Sequence, residues 1–163
     1  MIRALKLLVG SGFGSGYLPK FPGTWGSLFA LIPIYFIFHS QNALIYLVIF
    51  IAISSVLNLW VSDTCEEHWG EDPGKMVIDE WAGQAVTFLT IASMGSLKAD
   101  LIILLVGFIL FRFFDILKPL GINKLQNLKS GFGILADDLL AGLYALICLK
   151  TLIFIWAEYT GMA

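Results

Sequence analysis

Residues 43–61 read ALIYLVIFIAISSVLNLWV, an apolar run from Ala43 to Val61 that carries no charge. A helix needs about 20 mostly apolar residues to cross the hydrocarbon core of a bilayer, and this run meets that length. Leu139 to Trp156 meets it too, with Lys150 as its single charge. Three shorter apolar segments lie between and before them: Gly26 to Phe38, Trp81 to Met94 and Leu101 to Phe114. These reach across only if polar flanks such as Thr24, Asp79-Glu80 and Arg112 to Asp115 are counted inside the helix. Gln84, Thr87 and Thr90 dilute the segment from Trp81 to Met94, which leaves a re-entrant path open for it. The reading is an all-α, polytopic helical membrane protein with about five membrane segments. It forms a single domain over residues 1–163, with a glycine-rich juxtamembrane segment near the N-terminus.

Composition agrees. Hydrophobic residues make up 58% of the 163 residues and charged residues 13%, against roughly 45–50% and 25% in ordinary globular chains. A soluble domain this small has too little interior for that much apolar surface. The net charge of −2 and the lack of a Lys/Arg stripe exclude nucleic acid as a partner. Cys65 and Cys148 stand far apart and outside any CxxC spacing, so neither a zinc site nor a disulfide framework is indicated. His39 and His68 are isolated. The apolar run after Arg3 and Lys6 is too short for a signal peptide. Ile2, Leu5, Leu8 and Val9 could instead form one face of a short interfacial helix.

Five spans would put the N-terminal segment and the two long polar loops, Ser62 to Ile78 and Lys118 to Ala136, on one face. That face would hold eight of the ten basic residues and ten of the twelve acids. The hairpin loops on the other side are nearly chargeless. The positive-inside bias then places the crowded face in the cytoplasm.

Four stretches on that face carry chemistry. Gly10 to Gly16, followed by Pro22-Gly23-Thr24-Trp25-Gly26-Ser27, matches no phosphate-loop fingerprint. It reads equally as an anion cradle at a helix start, with Thr24 as N-cap, or as a flexible linker. Asp79-Glu80 and Asp137-Asp138 are two acid pairs at the mouths of apolar helices, costly there unless paired or metal-bound. Each is followed by Ala-Gly (Ala82-Gly83, Ala141-Gly142), a faint echo whose spacing differs by one residue. Arg112, Asp115 and Lys118 stand at i, i+3 and i+6 before Pro119, so neighbours in that series share a helix face. Arg and Lys there could grip a phosphate, or they could be an interfacial snorkelling pair. Five carboxylates at one membrane depth repel one another unless a cation joins them. Mg²⁺, a hard ion that takes oxygen ligands, fits them better than zinc.

At these residues the sequence resembles the phosphatidylglycerophosphatase A family. The matching stretches are Gly12 to Gly16, Pro22 to Leu28, Asp72 through Val77-Ile78-Asp79-Glu80 with Gly83, Phe111 to Pro119, and Gly131 to Asp138 with Ala141-Gly142. They occur in family order over nearly the whole chain, while Asn127 to Ser130 varies. The resemblance implies an integral membrane enzyme of the bacterial cytoplasmic membrane. Such an enzyme needs Mg²⁺ and hydrolyses phosphatidylglycerophosphate to phosphatidylglycerol and phosphate. It implies catalytic roles for Thr24, Asp79, Glu80, Asp115, Asp137 and Asp138. Asp79, Glu80, Asp137 and Asp138 would hold the metal, and Arg112, Lys118, Gly23 and Ser27 would bind substrate. A metal-activated water is the expected nucleophile, with an aspartyl-phosphate on Asp79 or Asp137 as its rival. Two other functions are weighed against this one. A CDP-alcohol phosphatidyltransferase lacks support because its D-x2-D-G-x2-A-R run is absent. An ion transporter needs polar residues through the bilayer, and here few go deeper than one face.

Overall fold

The computed structural model describes residues 1–70, 73–119, 121–125 and 131–160. Asp72, Lys129 and the variable stretch Asn127 to Ser130 lie outside the described residues. Among those described, every regular element is helical. Helix α1 spans Ile2–Gly10, α2 Pro22–Phe38, α3 Ala43–Trp69, α4 Ile78–Val86, α5 Leu97–Leu117, α6 Ile122–Leu125 and α7 Gly131–Thr160.

The ends follow from local chemistry. Pro22 opens α2 at its first turn, where its missing N–H costs nothing. The N-cap is Phe21, not Thr24, which lies inside that first turn. Gly70 stops α3 at a positive φ of 97° and donates its N–H to Glu66 O at 2.9 Å, a conformation that glycine adopts without strain. Lys118 ends α5 in the left-handed region at φ 44°, since Pro119 bars the residue before it from the helix.

Two helices, α3 and α7, are long and apolar enough to cross a membrane. The five expected spans are therefore not all found. Helix α2 has 17 residues, and α5 has 21 but carries Lys98, Asp100, Arg112 and Asp115. The largest departure is the third segment. Helix α4 stops after nine residues, gives way to turns over 87–90 and runs without regular structure to Ser96. It is also the best-buried element: Ala82, Ala85 and Phe88 are inaccessible, and α4 packs against α7, α3 and α2. Its chain still travels inside the protein. Its start meets Arg112 near the C-terminal end of α5, and Ser93 and Met94 meet Asp100 near the other end. Twelve helical residues separate those points, about 18 Å.

The core forms around this internal segment. Phe88 packs with Ile34 and Phe38 of α2, Leu47 of α3, Ile103 of α5 and Leu149 of α7. Gly107 leaves room for its ring, because a β-carbon there would lie 2.5 Å from Phe88 Cε1. The outer faces of α2, α3, α5 and α7 are apolar as well. Phe36, Val56, Ile109 and Phe154 are all more than half exposed.

The glycine-rich stretch is neither a cradle nor a loose linker. Val77 donates its N–H to Gly10 O at 2.9 Å, and a β-carbon on Gly16 would collide with Lys75 O. Gly26 of α2 sits against Val77 from the other side, 2.5 Å from its Cβ to the missing side-chain position. Small residues thus clamp the segment that leads into Asp79. The hydroxyls of Ser11 and Ser15 bond back to Leu8 O and Gly12 O, so both are spent on their own turn. Helix α1 leaves Ile2, Leu5 and Leu8 exposed and seats Val9 against Val61 and Cys65 of α3.

Candidate active site

The site is assembled where α2, α4, α5 and α7 converge. Helix α4 delivers Asp79 and Glu80 in its first turn. Helix α7 delivers Asp137 and Asp138 from within its second turn, because it begins at Gly131 rather than Leu139. The acids of that pair are therefore inside a helix, not at its mouth. Gly131 and Gly133, within the stretch read as a polar loop from Lys118 to Ala136, are helical. Gly131 is needed where α7 starts against α3: Asn58 Nδ2 donates to its carbonyl at 2.8 Å, and any side chain would strike Ser62.

All four acids are buried, and two cations serve them. The Arg112 guanidinium pairs through Nη1 with Glu80 and, at 2.7 Å, with Asp115 one turn along α5. The same nitrogen donates to Ser27 Oγ at 3.3 Å. Ser27 is inaccessible, and its single O–H is shared between Glu80 and Gly23 O, the latter at 2.8 Å. Gly23 allows this approach, since a β-carbon there would overlap Glu80 Oε1. Lys118 turns away from α5 in its left-handed conformation and donates to Asp137. Of the expected site residues, Thr24 stands apart. Its side chain is half-buried and makes no hydrogen bond among the described residues.

Negative charge dominates what remains. Asp138 lies within electrostatic reach of Asp115, Asp79, Glu80 and Asp137. Burial, then the neighbouring Glu80, holds the Asp79 carboxyl well above its ordinary range. Burial raises Glu80 to about 7 even though Arg112 and Ser27 oppose the shift. Burial works against the Lys118 ammonium, yet the hydrogen bond and charge of Asp137 outweigh it and raise its pKa. Asp79 Oδ1, Asp138 Oδ2 and Arg112 Nε have no hydrogen-bond partner among the described residues. Buried carboxylate oxygens in that state are the donors a hard cation takes. Among the described residues no three acidic, His or Cys side chains form a ready-made metal cage. Mg²⁺ does not require one, since it commonly keeps waters and substrate phosphate oxygens beside one or two carboxylates.

The phosphatidylglycerophosphatase A family matches residues 8–153. A Haemophilus influenzae protein named phosphatidylglycerophosphatase A is 40% identical over 142 residues, covering 86% of this chain and 83% of its own. An Escherichia coli protein of the same name is 34% identical over 137 residues, covering 83% and 76%. A Bacteroides thetaiotaomicron protein named "Putative phosphatidylinositol-3-phosphatase" is 38% identical over 146 residues, covering 88% and 90%. This chain belongs to the phosphatidylglycerophosphatase A family. No solved structure matches it. Membership supports a lipid phosphatase, and phosphatidylglycerophosphate is the substrate that the family and two of these relatives are named for.

Two features beside the cluster were given no role by sequence reasoning. Gln84 lies one turn along α4 from Glu80, is inaccessible, and has neither amide atom partnered among the described residues. A polar residue inside an otherwise apolar, Ala-rich turn was its only signal. The second feature is the crossing of Gly83 with Gly142, discussed below.

Proposed function

We propose that the protein removes the terminal phosphate of phosphatidylglycerophosphate with the help of Mg²⁺, at the cytoplasmic side of a bacterial inner membrane. The observation that carries the reading is the pairing of an excess of buried acid with Arg112 and Lys118 at one end of a helical protein whose outer faces are apolar. Helices α2, α3, α5 and α7 would lie in the bilayer, apolar outside as well as inside. The broken segment from α4 to Ser96 would be tolerated there because protein surrounds it. The positive-inside count favours the cytoplasmic side for the site.

Arg112 would take the phosphate charge through the edge of its guanidinium not spent on Glu80, Asp115 and Ser27. Lys118 adds a point charge beside it. Ser27 and Gly23 fix Glu80, and Glu80 fixes Arg112, so the phosphate meets a preset dipole array. Asp79 and Asp138, supported by Glu80 and Asp137, would hold Mg²⁺. Bound there, the ion would neutralise charge developing on phosphoryl oxygens and acidify a nearby water. A water would attack phosphorus while a carboxylate of the cluster takes its proton and the bond to the glycerol oxygen breaks. That carboxylate would then pass the proton to the glycerol oxygen, giving phosphatidylglycerol and inorganic phosphate.

The test is phosphate release by purified protein from phosphatidylglycerophosphate, phosphatidylinositol 3-phosphate and a soluble phosphomonoester, each with and without Mg²⁺. Release from the first, dependent on Mg²⁺, is expected. Preference for the inositol lipid would shift the substrate to that of the Bacteroides relative's name. No release from any would sink the phosphatase reading.

A further inference from the structure

Helices α2 and α5 each carry part of the site at one end and part of a groove below it. Ser27 and Gly23 sit on α2, and Arg112 sits on α5. Past them, the two helices border an open groove of about 570 Å³ lined by Leu28, Ile32 and Tyr35 on one side and Leu101, Leu104 and Leu105 on the other. The lining is almost wholly apolar.

The groove and the site share a face of α5 and adjoin one another on α2. On α5, Leu105 and Leu101 are seven and eleven residues before Arg112, so all three fall on one stripe. On α2, Ser27 is followed at four-residue steps by Leu31 and Tyr35, and Leu28 is its immediate neighbour. Eleven helical residues span about 16 Å, close to half of the roughly 30 Å hydrocarbon core of a bilayer. The groove thus extends from the phosphate grip through about one leaflet. A larger groove of about 700 Å³ between α5 and α7 has no such link. It opens at the far end of the molecule beside Met94, Lys98 and Trp156.

We propose that the α2–α5 groove is an acyl-chain site, holding one fatty-acyl chain of the lipid phosphomonoester whose phosphate sits at Arg112. This rests on the phosphatase reading and adds to it a determinant of substrate choice. The lipid slides in sideways from its own leaflet, its chain remains in apolar surroundings, and its head group reaches Ser27 and Arg112 without leaving the interface. Because the chain passes from one apolar medium to another, the groove acts by van der Waals contact and by holding the lipid over Arg112, which a deacylated phosphomonoester cannot use.

The experiment fills the groove. Ile32→Trp and Leu105→Trp, singly and together, are assayed in mixed micelles against dioleoyl phosphatidylglycerophosphate and against its deacylated, water-soluble counterpart. Both positions are more than half exposed, so the added ring enters open space rather than the core. Leu152→Trp in the α5–α7 groove is the control. The expected result is a KM for the dioleoyl substrate raised about tenfold, as loss of the contacts that position the chain implies. Turnover of the deacylated substrate should remain within twofold, which also reports an intact fold. Equal losses on both substrates, no loss on the lipid, an equal effect of Leu152→Trp, or a wild-type enzyme indifferent to acyl chains would each overturn the groove. Absence of phosphate release by the wild type from either substrate would instead overturn the phosphatase reading.

Discussion

Gly83 and Gly142 meet backbone to backbone: a β-carbon on Gly142 would fall on the carbonyl oxygen of Gly83, and one on Gly83 would lie 2.6 Å from the carbonyl oxygen of Asp138. Asp79 stands one turn before Gly83, and Asp138 one turn before Gly142. The crossing therefore brings two equivalent carboxylates together from α4 and α7. Gly142→Ala or Gly83→Ala should force the helices apart. The expected cost is about 1–3 kcal/mol of stability and at least a tenfold loss of phosphate release. Gly74→Ala, where nothing lies within 4 Å of the missing side chain, should leave both unchanged. Thermal unfolding and activity of the three variants check this.

That crossing also explains what was legible in the sequence. Asp-Glu and Asp-Asp pairs followed by Ala-Gly were visible as an echo, and the one-residue mismatch blurred it. The structure aligns Asp79 with Asp138 through their glycines, which leaves Glu80 and Asp137 on different sides of the match and with different cations. Arg112 and Asp115 were readable because i, i+3 spacing on a continuous helix dictates contact. The fate of α4 was not readable. Hydropathy reports how apolar a segment is, and a short helix buried among others is as apolar as one facing lipid. The glycine-rich stretch misled for a related reason: glycine permits a close approach without saying whether an anion or a neighbouring backbone makes it.

Arg112 ties Glu80, Asp115 and Ser27 through a single nitrogen. Lysine carries the charge but not the planar fork. Arg112→Lys should lower kcat by roughly 10²–10³, the scale of losing one preset donor, while leaving the unfolding temperature nearly unchanged. A variant with kcat within threefold of wild type would remove Arg112 from the phosphate site.

Asp79 and Asp138 each bury an oxygen with no hydrogen-bond partner among the described residues. Asp79→Asn and Asp138→Asn remove repulsion in the metal-free protein and remove an oxygen ligand in the loaded one. Three effects follow. Without Mg²⁺ each variant should unfold at a higher temperature than wild type, and the rise that Mg²⁺ gives the wild type should shrink. The Mg²⁺ concentration for half-maximal activity should increase at least tenfold. Differential scanning fluorimetry across a Mg²⁺ titration reads the first pair, and phosphate release reads the third. If Mg²⁺ raised the unfolding temperature of both variants as much as that of wild type, neither acid would be a ligand.

Burial raises Glu80 from 4.5 to about 7. In the folded, metal-free protein it therefore binds a proton that the unfolded chain has already lost. Its contribution favours folding below about pH 4.5 and is lost as pH rises towards about 7. The metal-free protein should become less stable across that window, and Glu80→Gln should flatten the slope. Unfolding temperatures at several pH values in chelator decide it. A wild-type profile that rises through the window, or a Glu80→Gln profile as steep as wild type, would contradict the assignment.

Asp100 tests the opposite end of the molecule. It is almost fully buried and accepts from Ser93 Oγ at 2.7 Å, from the Met94 N–H at 2.8 Å and shares a 3.1 Å contact with His39 Nε2. It thus fastens the end of the internal segment to α5 and to the C-terminal end of α2. Asp100→Asn replaces one acceptor by a donor that faces other donors, at an expected cost of about 1–3 kcal/mol. For a chain of this size that is a fall of several degrees in unfolding temperature, at roughly 2–4 °C per kcal/mol. Asp79 lies at the far end of the same segment, and Asp138 stands near it on α7, so kcat measured well below the transition should stay within twofold. A large loss of kcat with an unchanged unfolding temperature would mean that this end of the bundle takes part in turnover rather than only holding the segment in place.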